Sequence, residues 1–270
     1  MRRTLQYQLY ACGEKPLPAQ IAVGENSYRL SQVLKHDFFA ATALYESSNK
    51  SLEPRIPTPQ QIILKLNRQQ HFLGLPLAWL GQMLCSHQIS IIRRLNHVQG
   101  TPRLLQRYGT TGFIYQYIPG RTLKENKEKL PDDFFDRLLK LLRQIHHAGI
   151  VYLDTNKQDN IILGSDGRPY LVDFQISLYV PNRLLLSHRL TSYLRNTLQK
   201  ADIYHLYKHK RKLAPELLTP DERPLSRPTS KAIQLHRLAA TPLRNLRRNL
   251  LRRLQPKDPL TSQNTPHQPT

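Results

Sequence analysis

The sequence contains few of the residues that build disulfide frameworks or metal clusters. Its 270 residues include two cysteines, Cys12 and Cys85, and a single tryptophan. Two isolated cysteines cannot form a disulfide framework or a cysteine-based zinc cluster, and no His-Glu-x-x-His pattern occurs among the 11 histidines. We therefore expect no zinc site, and a reducing compartment such as the cytoplasm.

Long apolar runs are also absent. No stretch of about 18 apolar residues occurs. The N-terminal residues MRRTLQYQLYACGEKPLPAQ lack the continuous apolar core that a signal peptide requires. The sequence therefore predicts neither a membrane-spanning helix nor a secretory leader.

Acidic residues are scarce. The chain has 19 Asp and Glu against 40 Lys and Arg, a formal net charge of +21. Such an excess predicts a polyanionic partner, which could be a nucleic acid, an anionic lipid or a phosphorylated substrate. The imbalance is strongest over residues 188–257, which hold 17 Lys and Arg against 4 Asp and Glu.

Two parts of this basic region have a pattern of their own. Residues 202–213 mix basic and aromatic side chains, which is typical either of nucleic-acid contact or of a helix that packs Ile203, Leu206 and Leu213 into a core. Residues 242–256 combine a leucine stripe with five arginines, which predicts a basic amphipathic helix. That helix could bind an anionic membrane surface or pack on the domain. Residues 257–270 are predicted to be disordered.

Hydrophobic periodicity predicts a mixed order of strands and helices. Residues 1–26 lack clear periodicity and are interpreted as a loosely structured lead-in. Strands are then predicted at 28–35, 41–46 and 61–66, a helix at 77–95, and two strands between 103 and 119. An amphipathic helix at 134–147 and short strands at 150–153, 161–163 and 170–172 follow.

Residues 146–175, HHAGIVYLDTNKQDNIILGSDGRPYLVDFQ, carry the strongest chemical signal. Phosphoryl transfer to a hydroxyl needs a carboxylate for the proton, oxygen ligands for Mg²⁺ and a lysine on the phosphates. Asp154 precedes Asn160, a predicted hairpin follows, and Asp173 comes directly after it. A lysine, Lys65, lies on the third predicted strand.

This segment resembles the catalytic and metal-binding loops of the protein-kinase-like superfamily, and most closely its bacterial lipopolysaccharide-kinase and RIO-like branches. The resemblance covers about residues 28–178. It implies an α+β, two-lobed kinase-like fold, with an antiparallel N-lobe sheet and one helix at 27–118 and a reduced, mainly helical C-lobe at 119–241. By the same resemblance, Asp154 would be the catalytic base with Lys157 beside it. Asn160 and Asp173 would hold Mg²⁺, and Lys65 would bind the phosphates of ATP.

The resemblance also implies that residues 114–119 form the hinge, with Gln116 and Tyr117 at the adenine edge. The chain departs from the family at four points. Residues 35–42, KHDFFAAT, replace the glycine-rich loop, so Ala40 and Ala41 must let the backbone approach phosphate. Gln88 stands where the family has a helix glutamate that pairs with the lysine. One additional residue separates Asp154 from Asn160, and no Ala-Pro-Glu signature or phosphorylatable activation loop follows Asp173.

The resemblance implies an ATP- and Mg²⁺-dependent phosphotransferase whose acceptor is a hydroxyl on protein Ser/Thr or on a lipopolysaccharide sugar. Two alternatives remain open. Gln88 and the glycine-free loop favour a pseudokinase scaffold with little turnover. The net charge favours a basic RNA-binding or membrane-surface protein in which the fold is incidental. The expected location is the cytoplasm. If the basic segment binds lipid, the protein would lie at the inner face of the membrane.

Overall fold

The computed structural model describes residues 7–48, 59–181 and 188–227, which form a mixed α+β fold. The predicted segments 242–256 and 257–270 lie outside the described residues. Four helices are described: α1 (Ala78–Arg94), α2 (Phe134–His147), α3 (His188–Leu213) and α4 (Glu222–Leu225). None of the described helices is long and apolar enough to cross a membrane.

A six-stranded antiparallel sheet occupies the N-terminal half. Its strands are β1 (Gln20–Val23), β2 (Asn26–His36), β3 (Ala40–Ser47), β4 (Gln61–Asn67), β5 (Leu104–Tyr108) and β6 (Gly112–Gln116), in the order β1-β2-β3-β4-β6-β5. The strands predicted at 28–35, 41–46 and 61–66 are confirmed as β2, β3 and β4. β4 is buried on nearly all its residues because protein covers both its faces. Its register places Lys65 opposite Thr42 of β3 and Phe113 of β6.

Residues 1–26 were predicted to be a loosely structured lead-in; residues 8–19 form turns and irregular backbone, but residues 20–23 depart from that prediction. Residues 20–23 form β1, which pairs with β2, and Ile21 is buried. A two-residue loop, Gly24–Glu25, joins the strands, and Gly24 has a φ of 58°. Such loops need a residue that tolerates positive φ, so Gly24 was the available signal. A four-residue strand carries too little alternation to be recognised by periodicity alone.

Helix α1 confirms the helix predicted at 77–95 and lies directly on the sheet. Gly81 makes this close approach possible, because a Cβ atom there would lie 1.9 Å from the carbonyl oxygen of Arg68. One turn further on, Cys85 Sγ is 3.3 Å from the carbonyl oxygen of Gly112 on β6. This packing brings Gln88 over the middle of β4.

Two smaller sheets and the remaining helices follow. Strands β7 (Gly120–Thr122), β9 (Ile161–Gly164) and β10 (Pro169–Leu171) form one sheet in the order β10-β9-β7, and β8 (Ile150–Val151) pairs with β11 (Leu178–Tyr179). The hairpin predicted between 161–163 and 170–172 is confirmed as β9–β10. The chain leaves the six-stranded sheet after Gln116 and enters the second sheet at Gly120. The boundary between the two lobes, predicted between residues 118 and 119, falls in this connection and stays a prediction.

Helices α2 and α3 build the core beneath these small sheets. Helix α2 buries the apolar face that its periodicity predicted, from Phe134 to Ile145, and is followed by Gly149 with a φ of 76°. Residues 202–213 form the second half of α3. Leu206 is buried and joins this core, whereas Leu213 is 37% exposed. The predicted packing of residues 202–213 is therefore confirmed for Leu206 and for Ile203, which is partly buried against the same core, but not for Leu213.

We expect Gly81→Ala to destabilise the protein by about 2–3 kcal/mol, because the added methyl group overlaps the backbone of Arg68 and must push α1 away from the sheet. Urea unfolding followed by circular dichroism measures the change. Ser90→Ala, at an exposed position of the same helix, is the control and should change the free energy of unfolding by less than about 0.5 kcal/mol. Equal effects of the two substitutions would contradict close packing at Gly81.

Candidate functional site

Lys65 is a buried cation near the middle of β4. Its side chain is 8% exposed. Its Nζ atom donates hydrogen bonds to Gln88 Oε1 and to Asp173 Oδ1, each at 2.8 Å. A buried ammonium group needs such partners because it has lost its contact with water. The contacts fix one positive charge between helix α1 and the residues that follow β10.

The orientation of Gln88 is set by its own hydrogen bonds. Its Nε2 group donates to Asn67 Oδ1 and to the carbonyl oxygen of Leu84, both at 3.2 Å, so its carbonyl oxygen points to Lys65. The contact between Gln88 and Lys65 that the sequence predicted is therefore present. Because an amide brings no charge, the carboxylate that neutralises Lys65 is Asp173.

Asp173 follows β10 in a strained backbone conformation, with a φ of 60°. A residue other than glycine in this region costs about 1–3 kcal/mol and persists where its surroundings determine it. Burial raises the pKa of the Asp173 carboxyl group, but Lys65, with Lys35 and Lys157 further away, lowers that pKa below its ordinary value overall. Asp173 is therefore negatively charged at neutral pH.

Asp154 lies on the loop after β8 and is buried. Its Oδ2 atom accepts hydrogen bonds from Lys157 Nζ at 2.5 Å and from Asn160 Nδ2 at 2.8 Å. Asn160 ends the 3₁₀ turn Gln158–Asn160, from which its side chain reaches Asp154. The structure thus brings these three predicted site residues together.

The side chain of Asp202, on α3, holds the loop that carries Asp154. The buried carboxylate of Asp202 accepts hydrogen bonds from the backbone N–H groups of Tyr152 at 2.9 Å and Leu153 at 2.8 Å, and from Thr155 Oγ1 at 3.0 Å. Its Oδ2 atom is also 3.0 Å from His146 Nε2. Leu153 has a φ of 65°, and its bond to Asp202 keeps it in this strained conformation.

Tyr152 connects this loop to the segment that carries Asp173. The phenol group donates a hydrogen bond to the carbonyl oxygen of Val172, and the ring packs edge-on against Phe174 with 5.1 Å between centroids. Burial raises the pKa of the fully enclosed Tyr152 hydroxyl, so it stays protonated and acts as a donor. Asp154 and Asp173 are therefore positioned relative to one another by a buried side chain.

The loop between β2 and β3 differs from the predicted arrangement. Ala40 and Ala41 were expected to bring their backbone to phosphate. Instead, Asp37 Oδ1 accepts the N–H groups of Phe39 at 2.9 Å and Ala40 at 3.0 Å, and Ala41 is fully buried in the sheet. The backbone N–H group of Ala40 is therefore hydrogen-bonded to the Asp37 carboxylate and does not point to a free phosphate site.

Lys35 adds a cation to this side of the site. Its Nζ atom is 2.8 Å from Asp37 Oδ2. Burial lowers the pKa of Lys35, but the hydrogen bond and charge of Asp37, together with the charges of Asp173 and Asp154, raise it overall. The direct partner of Lys35 is thus Asp37.

Arg68, immediately after β4, ties the same loop to the sheet. Its buried guanidinium group donates to the carbonyl oxygens of Phe38 at 2.8 Å and Gln8 at 2.7 Å. It also stacks on the Phe38 ring, 3.8 Å from the centroid. Burial lowers the pKa of Arg68 to about 10, which leaves it charged at neutral pH. The loop that carries Asp37 is consequently a fixed part of the site.

The backbone N–H groups of the predicted hinge residues are hydrogen-bonded within the protein. The N–H group of Gln116 donates to the carbonyl oxygen of Arg103 at 2.9 Å, and that of Tyr117 to the carbonyl oxygen of Gln61 at 3.4 Å. Neither amide is therefore available to a base edge in this conformation. Burial first, and the charge of Asp173 second, raise the pKa of the hydroxyl group of Tyr115, the preceding residue.

The predicted residues form two linked clusters, one of Lys65, Gln88 and Asp173 and one of Asp154, Lys157 and Asn160. Ala40, Ala41, Gln116 and Tyr117 do not present the amides that were expected of them. Sequence reasoning missed Lys35, Asp37, Tyr115 and Asp202. Only Asp37 carried a signal, because Asp followed by small or aromatic residues is typical of a side chain that binds backbone amides in a turn.

Asp173 and Asn160, the residues predicted to bind a metal ion, both offer side-chain oxygen atoms. Within residues 7–48, 59–181 and 188–227, no group of three or more His, Cys, Asp or Glu side chains could hold a metal by itself. Mg²⁺ is usually bound by one or two protein oxygens together with waters and substrate phosphates. The ionised carboxylate of Asp173 and the side-chain oxygen of Asn160 are ligands of that type.

No protein-family model matches the chain, and no curated protein is detectably similar to it.

We expect Asp202→Asn to lower the free energy of unfolding by about 2 kcal/mol or more, because the amide cannot accept all the hydrogen bonds that the buried carboxylate accepts. The matched control is Asp221→Asn, since Asp221 is exposed and makes no side-chain capping bond. Chemical denaturation measures both variants. If Asp202→Asn is as mild as the control, then Asp202 does not hold the Asp154 loop.

Proposed function

We propose that this protein is an ATP- and Mg²⁺-dependent phosphotransferase with the two-lobed fold of protein-kinase-like enzymes, and that it transfers the γ-phosphoryl group to a hydroxyl acceptor. The observation that carries the proposal is the Lys65 ammonium group, held 2.8 Å from both Asp173 and Gln88. A buried lysine oriented by a carboxylate, beside a second carboxylate and an amide, supplies the groups that phosphoryl transfer needs.

The phosphates would bind between the sheet and the Asp154 loop. Lys65 would contact the α- and β-phosphates, and Lys35 would add a second positive charge from β2. Because Asp37 already occupies the amides of the β2–β3 loop, phosphate binding here relies on lysine side chains more than on backbone N–H groups. Asp173 and Asn160 would hold Mg²⁺, which when bound neutralises charge on the phosphates.

Asp154 would accept the proton of the attacking hydroxyl. Both hydrogen bonds described for its carboxylate go to Oδ2, which leaves Oδ1 to take the proton. The acceptor oxygen forms a bond to the γ-phosphorus, the bond from that phosphorus to the β–γ bridging oxygen breaks, and ADP leaves. Lys157, which contacts Asp154 and has a half-exposed side chain, would stabilise charge on the transferred group.

A nucleotide-binding scaffold with little turnover is the second candidate. The specific observation in its favour is that the Ala40 amide binds Asp37 and that Gln88 brings no charge to Lys65. Against it stands the presence of all four predicted groups in two contacting pairs, Lys65 with Asp173 and Asn160 with Asp154. Binding and turnover must therefore be measured separately.

Mg-ATP should raise the melting temperature, because a ligand that binds only the folded state stabilises it by about 2.7 kcal/mol at 100 times its Kd. Lys65→Met and Asp173→Asn should each remove most of this shift. Lys140→Met, at an exposed position of α2, is the control and should keep it. Differential scanning fluorimetry measures the shift, and the melt without ligand shows whether each variant is folded. No shift of the wild type at millimolar Mg-ATP would refute nucleotide binding.

Asp154→Asn should keep Mg-ATP binding but reduce phosphoryl transfer by about 10²- to 10⁴-fold, the usual contribution of a positioned base. Release of radiolabelled phosphate from γ-labelled ATP, to water or to an acceptor, measures the rate. Asp132→Asn removes an exposed carboxylate that belongs to neither cluster, and it should leave the rate within a few-fold of the wild type. A wild-type rate in Asp154→Asn would exclude Asp154 as the base, and no turnover in the wild type would favour the scaffold.

A further inference from the structure

A basic cavity of about 600 Å³ opens beside the Asp154 loop. This volume lies in the range of small-molecule sites, about 300–1,000 Å³. One side of the cavity is formed by the loop around Lys157 and the other by the C-terminal end of α3. The charged side chains that line it are Lys124, Lys157, Asp159, Lys208, Arg211 and Lys212.

The lining is strongly positive. Five of these side chains are cations and only Asp159 is an anion, bound to Lys124 with 2.9 Å between Nζ and Oδ1. Lys210, on the same part of α3, does not line the cavity. Its Nζ atom is buried 2.8 Å from Glu222 Oε2 and faces away from the cavity lining. Three cations near the C-terminal end of α3, Lys208, Arg211 and Lys212, therefore line the cavity.

The two sides of the cavity are rigidly connected. His209 of α3 is buried, and its Nε2 atom is 2.9 Å from the carbonyl oxygen of Thr155. Lys208 Nζ donates to Asn156 Oδ1 at 2.8 Å. The cations on α3 therefore keep a defined position relative to the Asp154 loop, as a binding site requires.

Lys157 links the cavity to the proposed chemistry. It lines the cavity and its Nζ atom is 2.5 Å from Asp154 Oδ2. A molecule bound in the cavity could therefore present a hydroxyl group to Asp154. Its anionic groups would lie against Arg211 and Lys212, whereas a cationic acceptor would be repelled there.

We infer that this cavity is the acceptor site and that the acceptor is a small hydroxyl compound that already carries phosphate groups, such as a phosphorylated sugar. The inference rests on the proposed function. In the reaction, a free hydroxyl of the acceptor loses its proton to Asp154 and bonds to the γ-phosphorus of ATP, and ADP is released. The acceptor phosphate could belong to a soluble sugar phosphate or to the phosphorylated headgroup of a lipid, which share this chemistry.

The first test uses calorimetric titration of the full chain with fructose 1,6-bisphosphate and with fructose, without nucleotide. The cavity variant combines Lys124→Gln, Arg211→Gln and Lys212→Gln, which are all exposed. The control variant removes the same charge elsewhere by Lys15→Gln, Arg29→Gln and Lys140→Gln. We expect the bisphosphate to bind the wild type and the control equally and the cavity variant at least tenfold more weakly, and we expect fructose not to bind.

The second test distinguishes the source of the phosphate by sedimentation with vesicles that contain phosphatidylinositol 4-phosphate in phosphatidylcholine. Binding of the soluble bisphosphate points to a sugar phosphate. Binding only of the vesicles, lost in the cavity variant but not in the control, points to a lipid headgroup. Either result supports the inference. If neither probe binds the wild type, or if the cavity and control variants bind alike, the inference is overturned.

A further variant separates this inference from the proposed function. Lys65→Met should lose the response to Mg-ATP but retain affinity for the phosphorylated probe. If the wild type binds Mg-ATP but neither probe, the acceptor assignment fails and the proposed function stands. If it binds the probe in the cavity but not Mg-ATP, the proposed function fails, and the assignment of the cavity as an acceptor site fails with it.

Discussion

The ion pair between Lys65 and Asp173 is the constraint on which the candidate site depends. It joins a central strand of the six-stranded sheet to the segment after β10, and Gln88 adds helix α1 to the same point. Lys65 is buried and Asp173 is partly buried, so removal of Asp173 would leave a buried lysine without its counter-ion. Three separate parts of the chain are thereby held at one place, and the strained backbone of Asp173 is retained there.

The buried carboxylate of Asp202 fixes the position of the Asp154 loop, as the ion pair fixes the position of Asp173. It satisfies the amides of a strained segment and ties that segment to α3. The C-terminal end of the same helix carries three of the five cations of the basic cavity, Lys208, Arg211 and Lys212. One helix therefore positions both the proposed base and the proposed acceptor site, and the spacing between them follows from helix geometry.

The sequence was informative where chemistry and local pattern coincide. Lys65 on a β-strand and Asp173 after a hairpin could be recognised by order and spacing, and their contact is present in the structure. Asp202 could not be recognised, because its partners are backbone amides distant in the chain and a lone Asp in a basic helix has no distinguishing pattern. The Ala40 amide was misjudged because the residue that binds it, Asp37, lies outside any glycine-based motif.

The most direct test of the central claim is a crystal structure with Mg²⁺ and a non-hydrolysable ATP analogue. We expect electron density for the phosphates within hydrogen-bond distance of Lys65 Nζ, and for a metal ion between the phosphates, Asp173 and Asn160. The Lys65–Asp173 contact should be retained or replaced by contacts of both residues to the nucleotide complex. Nucleotide bound elsewhere, with Lys65 and Asp173 unchanged and no density beside them, would contradict the claim that this ion pair organises a phosphate site.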